Sequence, residues 1–368
     1  MKFSKILMML TFFSYPYYLF PSGGFQPATG IIVCIFVTLL FTAPKQFKFS
    51  LSMKILICYT IYAAAVNTFW YFNTYNESLL EHLYITIFGT FIFVTLGNVF
   101  NHFTRSDAKM FIGVIAITLA TQAALLTFGL VKDVGGGRQI IWFNNPNQLG
   151  YFCVLSATLA IVTSYYYKIK SLIIPIVIIG IGIFLTAFTL SRAALGALLL
   201  FIPIILFLST NLSIFKKIVM VAILSISSVF VTDLYLQSET YAALERRIER
   251  SQDRATETTA EVRHFDRIWL YPDYLGFGAG KGAYERFGKP QEIHNLFLSV
   301  FFSYGVIGIL LYLAFWLKII PNLQVLIYMA PVLVYNMTHN GGRVIVFWFT
   351  LALIASAATR KLKRSRKR

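Results

Sequence analysis

His294 stands at the lip of a long apolar run, "QEIHNLFLSVFFSYGVIGILLYL" (291–313), with Gly305 eleven positions on and Gly308 one helical turn later. An imidazole is neutral near pH 7 and can take a proton from a hydroxyl. Four cations in short loops share its expected side of the chain: Lys132, Arg138, Arg192 and Arg343. Guanidiniums gathered in one place could grip a phosphate or diphosphate through paired hydrogen bonds. "FLTAFTLSRAALGALLL" (184–200) sets Ser191–Arg192 between two apolar runs with almost no loop. So tight a hairpin should point Arg192 into the bundle mouth as an anion ligand, although a snorkelling interfacial arginine fits the same pattern. Arg138 follows three glycines in "KDVGGGRQIIWFNNPNQLGYF" (132–152), where backbone can approach a ligand closely. Asn145 and Asn147 then punctuate the entry to the next helix, with Asn147 the expected N-cap. No lysine–hydroxyl pair follows the glycines, so this is not a P-loop. Arg343, in "THNGGRVIVFW" (338–348), either joins this set or marks the start of the last helix. "EVRHFDRIWLYPDYLGFGAGKGAYERF" (261–287) adds Arg263, Arg267 and Trp269 to a mixture of aromatic and polar groups. Such a mixture suits a sugar surface; lids and packing loops share it.

The elements that position these residues are apolar helices. The 368 residues are 57% hydrophobic and 13% charged, with a mean hydropathy of +0.69. That is too little charge to cover a soluble domain of this length. The chain reads as an all-α polytopic membrane protein forming a single transmembrane domain, 1–368. About twelve transmembrane helices are expected, near 6–20, 27–43, 52–72, 83–100, 110–131, 149–167, 172–190, 193–209, 218–236, 295–317, 322–337 and 343–359. The first reads as a retained helix, since no small-residue cleavage site follows it. One long loop, about 237–293, interrupts the series, and its 239–262 stretch reads as a surface helix with paired charges. Cations in every second short loop (Lys2, Lys5, Lys45, Lys48, Arg105, Lys109, Lys168, Lys170, Lys216, Lys217, Lys318) and the basic tail at 360–368 place both termini in the cytoplasm. The loop and His294 then face outward, with fourteen of the fifteen acids; Asp107 is the exception. The net charge of +17 sits at helix ends without interleaved aromatics, which argues for membrane lipids and against nucleic acid as partner. Cys34, Cys58 and Cys153 fall inside spans with no metal or disulfide spacing.

The His294–Asn295…Gly305…Gly308 pattern resembles the signature of bacterial O-antigen ligases and O-antigen polymerases. "NPNQLG" (145–150), "LSRAALG" (190–196) and "RIWLYPDYLGFGAGKGAYERF" (267–287) ahead of "EIHN" (292–295) are similar to further blocks of that family, in the same order. "YLFPSGGFQPA" (18–28) is similar to its amino-terminal part. The resemblance implies a GT-C-like glycosyltransferase of the bacterial inner membrane that uses neither metal nor cofactor. Such an enzyme takes a glycan from undecaprenyl diphosphate on the periplasmic side. The acceptor is another lipid-linked repeat unit for a polymerase, the reading we favour, or lipid A–core for a ligase. His294 becomes the base, Arg192 a diphosphate ligand and Arg263 the catalytic loop arginine. Many relatives carry that arginine four residues before the tryptophan, where this chain has Phe265, so Arg267 stays open for the role. Arg138, Asn145, Asn147, Arg267, Trp269, Asn295 and Arg343 are the expected substrate-binding set. A flippase and a chain-length regulator are the implied protein partners. A flippase for the same lipid is the more distant alternative for the chain itself, since its charges gather at one face and no internal repeat is visible.

Overall fold

A computed structural model describes residues 1–20, 25–133, 138–208, 213, 215, 218 and 259–365. The chain is mostly helical: α1 (Lys2–Ser14), α2 (Pro27–Thr42), α3 (Leu51–Thr74), α4 (Ser78–Phe100), α5 (Arg105–Thr127), α6 (Pro146–Tyr166), α7 (Ile173–Thr189), α8 (Arg192–Leu199), α9 (Phe201–Leu208), α10 (Leu296–Ile319), α11 (Leu323–Asn336) and α12 (Ile345–Ser365). Five of these, α3, α4, α5, α6 and α10, are long and apolar enough to cross a membrane; α2, α7, the Arg192–Leu206 stretch, α11 and Ile345–Thr359 are shorter apolar helices. This is compatible with a multi-pass membrane protein. The expected span at 218–236 lies outside the described residues, as does all but the end, Thr259–Val262, of the expected surface helix. The glycines at 135–137 lie outside them too.

Side-chain caps set where the helices begin. The Ser50 Oγ accepts from Met53 N–H, the Asn322 Oδ1 from Val325 N–H, and Thr104 and Asp107 cap α5 reciprocally. Asn145, not Asn147, caps α6: its Oδ1 accepts from the Asn147 N–H at 2.8 Å, and Pro146 occupies the first helical position. Proline there gives up only an N–H that the helix could not use, which is why the cap falls one residue before it. Two further departures from the sequence reading are small. Residues Lys132–Asp133 and Gln139–Ile140 pair as a two-stranded antiparallel ribbon, and α12 runs on to Ser365, into the basic tail.

α6 is buried on nearly every side. It lies against α5, α7, α8, α11 and α12, while α4 lies between α3 and α12. A helix without a polar face fits only at such a centre. The two ends of the bundle differ in chemistry. At one end Lys5 pairs with Asp107 at 2.7 Å, the Arg105 guanidinium donates to Lys168 O at 2.8 Å, and the Asn98 Oδ1 accepts from Lys48 N–H at 2.8 Å. The exceptional acid of the cation-rich face is thus neutralised by a lysine. At the other end gather Arg138, Arg192, Arg263, His294 and Arg343.

α10 is broken at Gly305 (φ 62°, ψ −165°). A break frees backbone groups that hydrocarbon cannot satisfy. The segment 275–280 satisfies them. Ala279 N–H donates to Phe302 O at 3.0 Å and Gly280 N–H to Ser303 O at 2.8 Å, and Leu275 O accepts from Val306 N–H at 2.9 Å. α3 grips the segment from behind: Tyr62 Oη–H donates to Phe277 O at 2.8 Å and Trp70 Nε1–H to Gly278 O at 2.7 Å. Asn67 exchanges two hydrogen bonds with the Lys281 backbone, at 2.9 and 3.1 Å. Contact this close requires glycine at 278 (φ 109°), where a Cβ would meet Ser303 O at 2.5 Å. Gly278→Ala should therefore cost about 1–3 kcal/mol of stability. Gly113→Ala, inside α5 with nothing within 4 Å of the added carbon, should keep or raise it by up to about 1 kcal/mol. Thermal unfolding of the purified proteins in detergent checks this; two superimposable curves would mean that 275–280 does not hold the break.

Candidate functional site

The loop bearing Arg263 is laced to His294 through the backbone, His294 N–H donating to Arg263 O at 3.1 Å. The Arg263 side chain in turn donates to Thr338 O, in the α11–α12 connection. These bonds place the His294 ring between two others, His264 at 6.0 Å and His339 at 6.5 Å between centroids. His339 is fixed from the bundle interior. It stacks on Tyr335 at 4.7 Å, Tyr335 stacks on Tyr151 at 4.2 Å, and the Tyr335 hydroxyl donates to Asn147 O at 3.0 Å.

The His294 imidazole is half-buried, and its ring nitrogens make no hydrogen bond to described residues. Burial pushes its pKa below the ordinary 6.5; Glu292 opposes this, while Arg263, Arg343 and Arg267 reinforce it. Burial lowers His339 to about 4, with help from Arg263, His294 and Arg138. Both rings are therefore neutral at pH 7, and the His294 nitrogen is free to accept a proton.

Arg192 opens α8 two residues after Leu190, which takes the left-handed conformation (φ 52°) that turns the chain. Its side chain is exposed. It lies near enough to Arg263 for its charge, after burial, to lower that guanidinium's pKa. Among the described residues neither Arg192 nor Arg263 has an acidic partner. Arg263 near the neutral imidazole and Arg192 near Arg263, neither with an acidic partner among the described residues, form a site for an anion next to a proton acceptor.

The other expected residues fall elsewhere. Arg138 is engaged by the protein: its Nε donates to Thr189 O at 3.0 Å and its Nη2 to the Asn147 Oδ1 at 2.9 Å. That staples the ribbon to the end of α7 and the start of α6. Arg267 is 2% exposed, donates to Lys289 O at 2.6 Å, and lies over the Tyr284 and Phe287 rings at 5.5 and 5.8 Å. The arginine that the sequence left open is thus Arg263 at the His294 ring and Arg267 inside the loop's own core. Trp269 is 61% exposed on the outer surface. Asn295 caps α10, its Oδ1 accepting from Leu298 N–H at 3.0 Å, and its amide donates to Met337 O at 3.1 Å.

Arg343 belongs to a second group that the sequence reading did not assemble. Its Nη2 donates to Glu292 at 2.8 Å and to the His82 Nε2 at 2.7 Å. The His82 Nδ1 faces Ser78 O at 2.8 Å, which assigns the proton to that nitrogen. Asn340 donates to the same Glu292 oxygen at 3.0 Å. The Lys281 side chain is buried, and burial lowers its pKa to about 8 despite Glu292. In the sequence, Lys281 is flanked by glycines and Glu292 stands two residues before His294; these were the available signals. His339 left none beyond its expected side. No group of three metal-ligating side chains converges among the described residues. No protein-family model matches this chain, and no curated protein matches it.

The geometry separates stability from chemistry at two arginines. Arg267→Ala would empty the buried space beneath the Tyr284 and Phe287 rings and should cost about 1–3 kcal/mol. Arg192→Ala, at an exposed and unpaired side chain, should stay within about 0.5 kcal/mol of the parent. Melting temperatures of the two purified variants measure this; a strongly destabilised Arg192→Ala would show that Arg192 holds structure.

Proposed function

We propose that the chain is a GT-C-like glycosyltransferase of the bacterial inner membrane, with about twelve spans, both termini in the cytoplasm and the His294 end facing the periplasm. It transfers a glycan from undecaprenyl diphosphate to a hydroxyl of an acceptor glycan, and most simply polymerises lipid-linked repeat units. One observation carries this reading: the His294 imidazole, which makes no hydrogen bond to described residues, lies near the Arg263 guanidinium, Arg263 lies near Arg192, and neither arginine has an acidic partner among the described residues. The family resemblance of the His294, Arg192 and 267–287 stretches points the same way.

The acceptor hydroxyl loses its proton to His294 as its oxygen bonds to the anomeric carbon. The bond from that carbon to the diphosphate oxygen breaks on the opposite face, and the electron pair leaves with the diphosphate. In-line displacement inverts the anomeric centre. Arg192 and Arg263 stabilise the charge that develops on the leaving group, which is worth most where water is scarce. Among the described residues no acid neutralises them, so their charge is available to the leaving group as its own charge develops.

His294→Ala should lower turnover by about 10²–10⁴, collapsing the glycan ladder of the strain at unchanged protein abundance. A normal ladder removes His294 from the mechanism. Arg192→Ala should behave alike, and Arg192→Lys should recover only part, because lysine cannot present a bidentate fork. Deletion separates the two acceptors: loss of a polymerase leaves single repeats on lipid A–core, and loss of a ligase leaves none.

The pH dependence follows from the direction of the His294 shift. The base must be neutral, and its pKa lies below 6.5. Release of undecaprenyl diphosphate by the purified protein should therefore be flat around pH 7 and fall only on acidification below about 6.5. An acid limb centred above neutrality would contradict a half-buried imidazole base among arginines.

A further inference from the structure

A cavity of ≈ 80 Å³ opens beside the second cationic group, between the starts of α2 and α12 and the outer half of α4. Ile85, Phe88, Ile92 and Trp348 supply its apolar wall, and Arg343 and Gln26 its polar rim. Trp348 is pinned by donating to Gly342 O at 2.9 Å, and Gly89 leaves room for its ring. Arg343 uses only its Nη2 on Glu292 and His82. Its Nε and Nη1 have no hydrogen-bond partner among the described residues, and its side chain is 39% exposed. A cation at the rim of an apolar cavity suits a molecule with a phosphate at one end and hydrocarbon at the other.

We propose that Arg343, backed by Lys281, is a second phosphate site that holds the diphosphate of the acceptor lipid while its first isoprene carbons enter the cavity beside Trp348. This rests on the transferase reading above. A polymerase handles two polyprenyl diphosphates at once, one leaving and one kept. The two cationic groups differ as those roles require. Among the described residues Arg192 and Arg263 have no acidic partner, and they answer to charge that develops during reaction. Arg343 is already paired with Glu292 at 2.8 Å, so Arg343, Lys281 and Glu292 together carry about one net positive charge. Such a site holds a standing anion without driving its departure. Burial keeps the Lys281 ammonium near 8, and an arriving anion would favour its charged form. His294 feels both groups, Glu292 and Arg343 from the one and Arg263 from the other. An acceptor anchored at Arg343 would therefore be held within reach of the same base that serves the leaving group's site.

The test needs no turnover. Farnesyl diphosphate is titrated into the purified full chain, and the Trp348 signal is read as the fluorescence difference between the parent and Trp348→Phe. A saturable change is expected, with farnesol and inorganic pyrophosphate at least tenfold weaker. Arg343→Gln should weaken farnesyl diphosphate tenfold or more, and so should Ile85→Phe, which fills the cavity with the guanidinium intact. Arg192→Gln should leave this signal unchanged. Equal saturation by phosphatidylglycerol would make the cavity a general lipid site, and an equal loss in Arg192→Gln would mean a single site; either overturns the proposal. In the transfer assay Arg343→Gln should raise the acceptor concentration for half-maximal rate tenfold or more with kcat nearly kept. A loss in kcat at unchanged acceptor demand refutes the role. A parent that shows the Trp348 response but never releases undecaprenyl diphosphate would sink the transferase reading first, and the acceptor role with it.

Discussion

The exchange of backbone hydrogen bonds between 275–280 and the broken helix α10 is the constraint on which the His294 end depends. A helix interrupted among apolar neighbours strands carbonyls and amides that would cost several kcal/mol each in hydrocarbon. Here Phe302 O, Ser303 O and Val306 N–H find partners in the loop segment. The segment in turn could not come this close without Gly278 and Gly305, and Tyr62, Asn67 and Trp70 hold it from α3. The chain then has only a short path from Lys281 to His294. Lys281, Tyr284, Glu292 and His294 are thereby delivered to one neighbourhood by a few bonds that none of their side chains makes.

Within that neighbourhood Glu292 sorts the cations. It accepts from Arg343 and Asn340, and its charge is felt by Lys281 and His294. Arg343 and Lys281 are therefore partly neutralised where they stand. Among the described residues Arg263 and Arg192 have no such partner, and they repel one another. An arrangement of like charges is tolerable where water or an anion can intervene. The same acid also opposes the drop in the His294 pKa that burial causes.

Much of the helix pattern was legible because apolar runs and cap residues are local. The expected starts near 27, 52 and 322 lie within a residue of Pro27, Leu51 and Leu323, whereas α5 begins at Arg105, five residues ahead of the expected 110, because its Thr104–Asp107 cap is polar and precedes the apolar run. The Asn145–Asn147 cap went wrong by one proline: both asparagines are good caps, and only the position of Pro146 between them decides. The resemblance and their shared expected side pointed to His294, Arg192 and Arg263 together; the structure brings Arg263 near His294 and Arg192 near Arg263. What the sequence did not reveal depends on contacts between distant segments. Arg267 looks like Arg263 until the Tyr284 and Phe287 rings close over it. His339 enters the histidine row only because Tyr335 and Tyr151, 184 positions apart in the chain, stack face to face. Lys281 gave a glycine-flanked lysine and nothing about its burial.

The end of the bundle that carries Lys5 and Arg105 is sewn shut by contacts linking neighbouring elements: Lys5 to Asp107, Arg105 to the Lys168 carbonyl, Asn98 to the Lys48 amide. At the opposite end the ties among the described residues are more numerous and converge on one loop: Arg263 to the Thr338 carbonyl, Asn295 to the Met337 carbonyl, and Glu292 to both Arg343 and Asn340. A displacement of the 263–295 stretch would therefore be handed to the starts of α10 and α12 and to the end of α11 together, whereas each tie at the Lys5 rim joins only two neighbours.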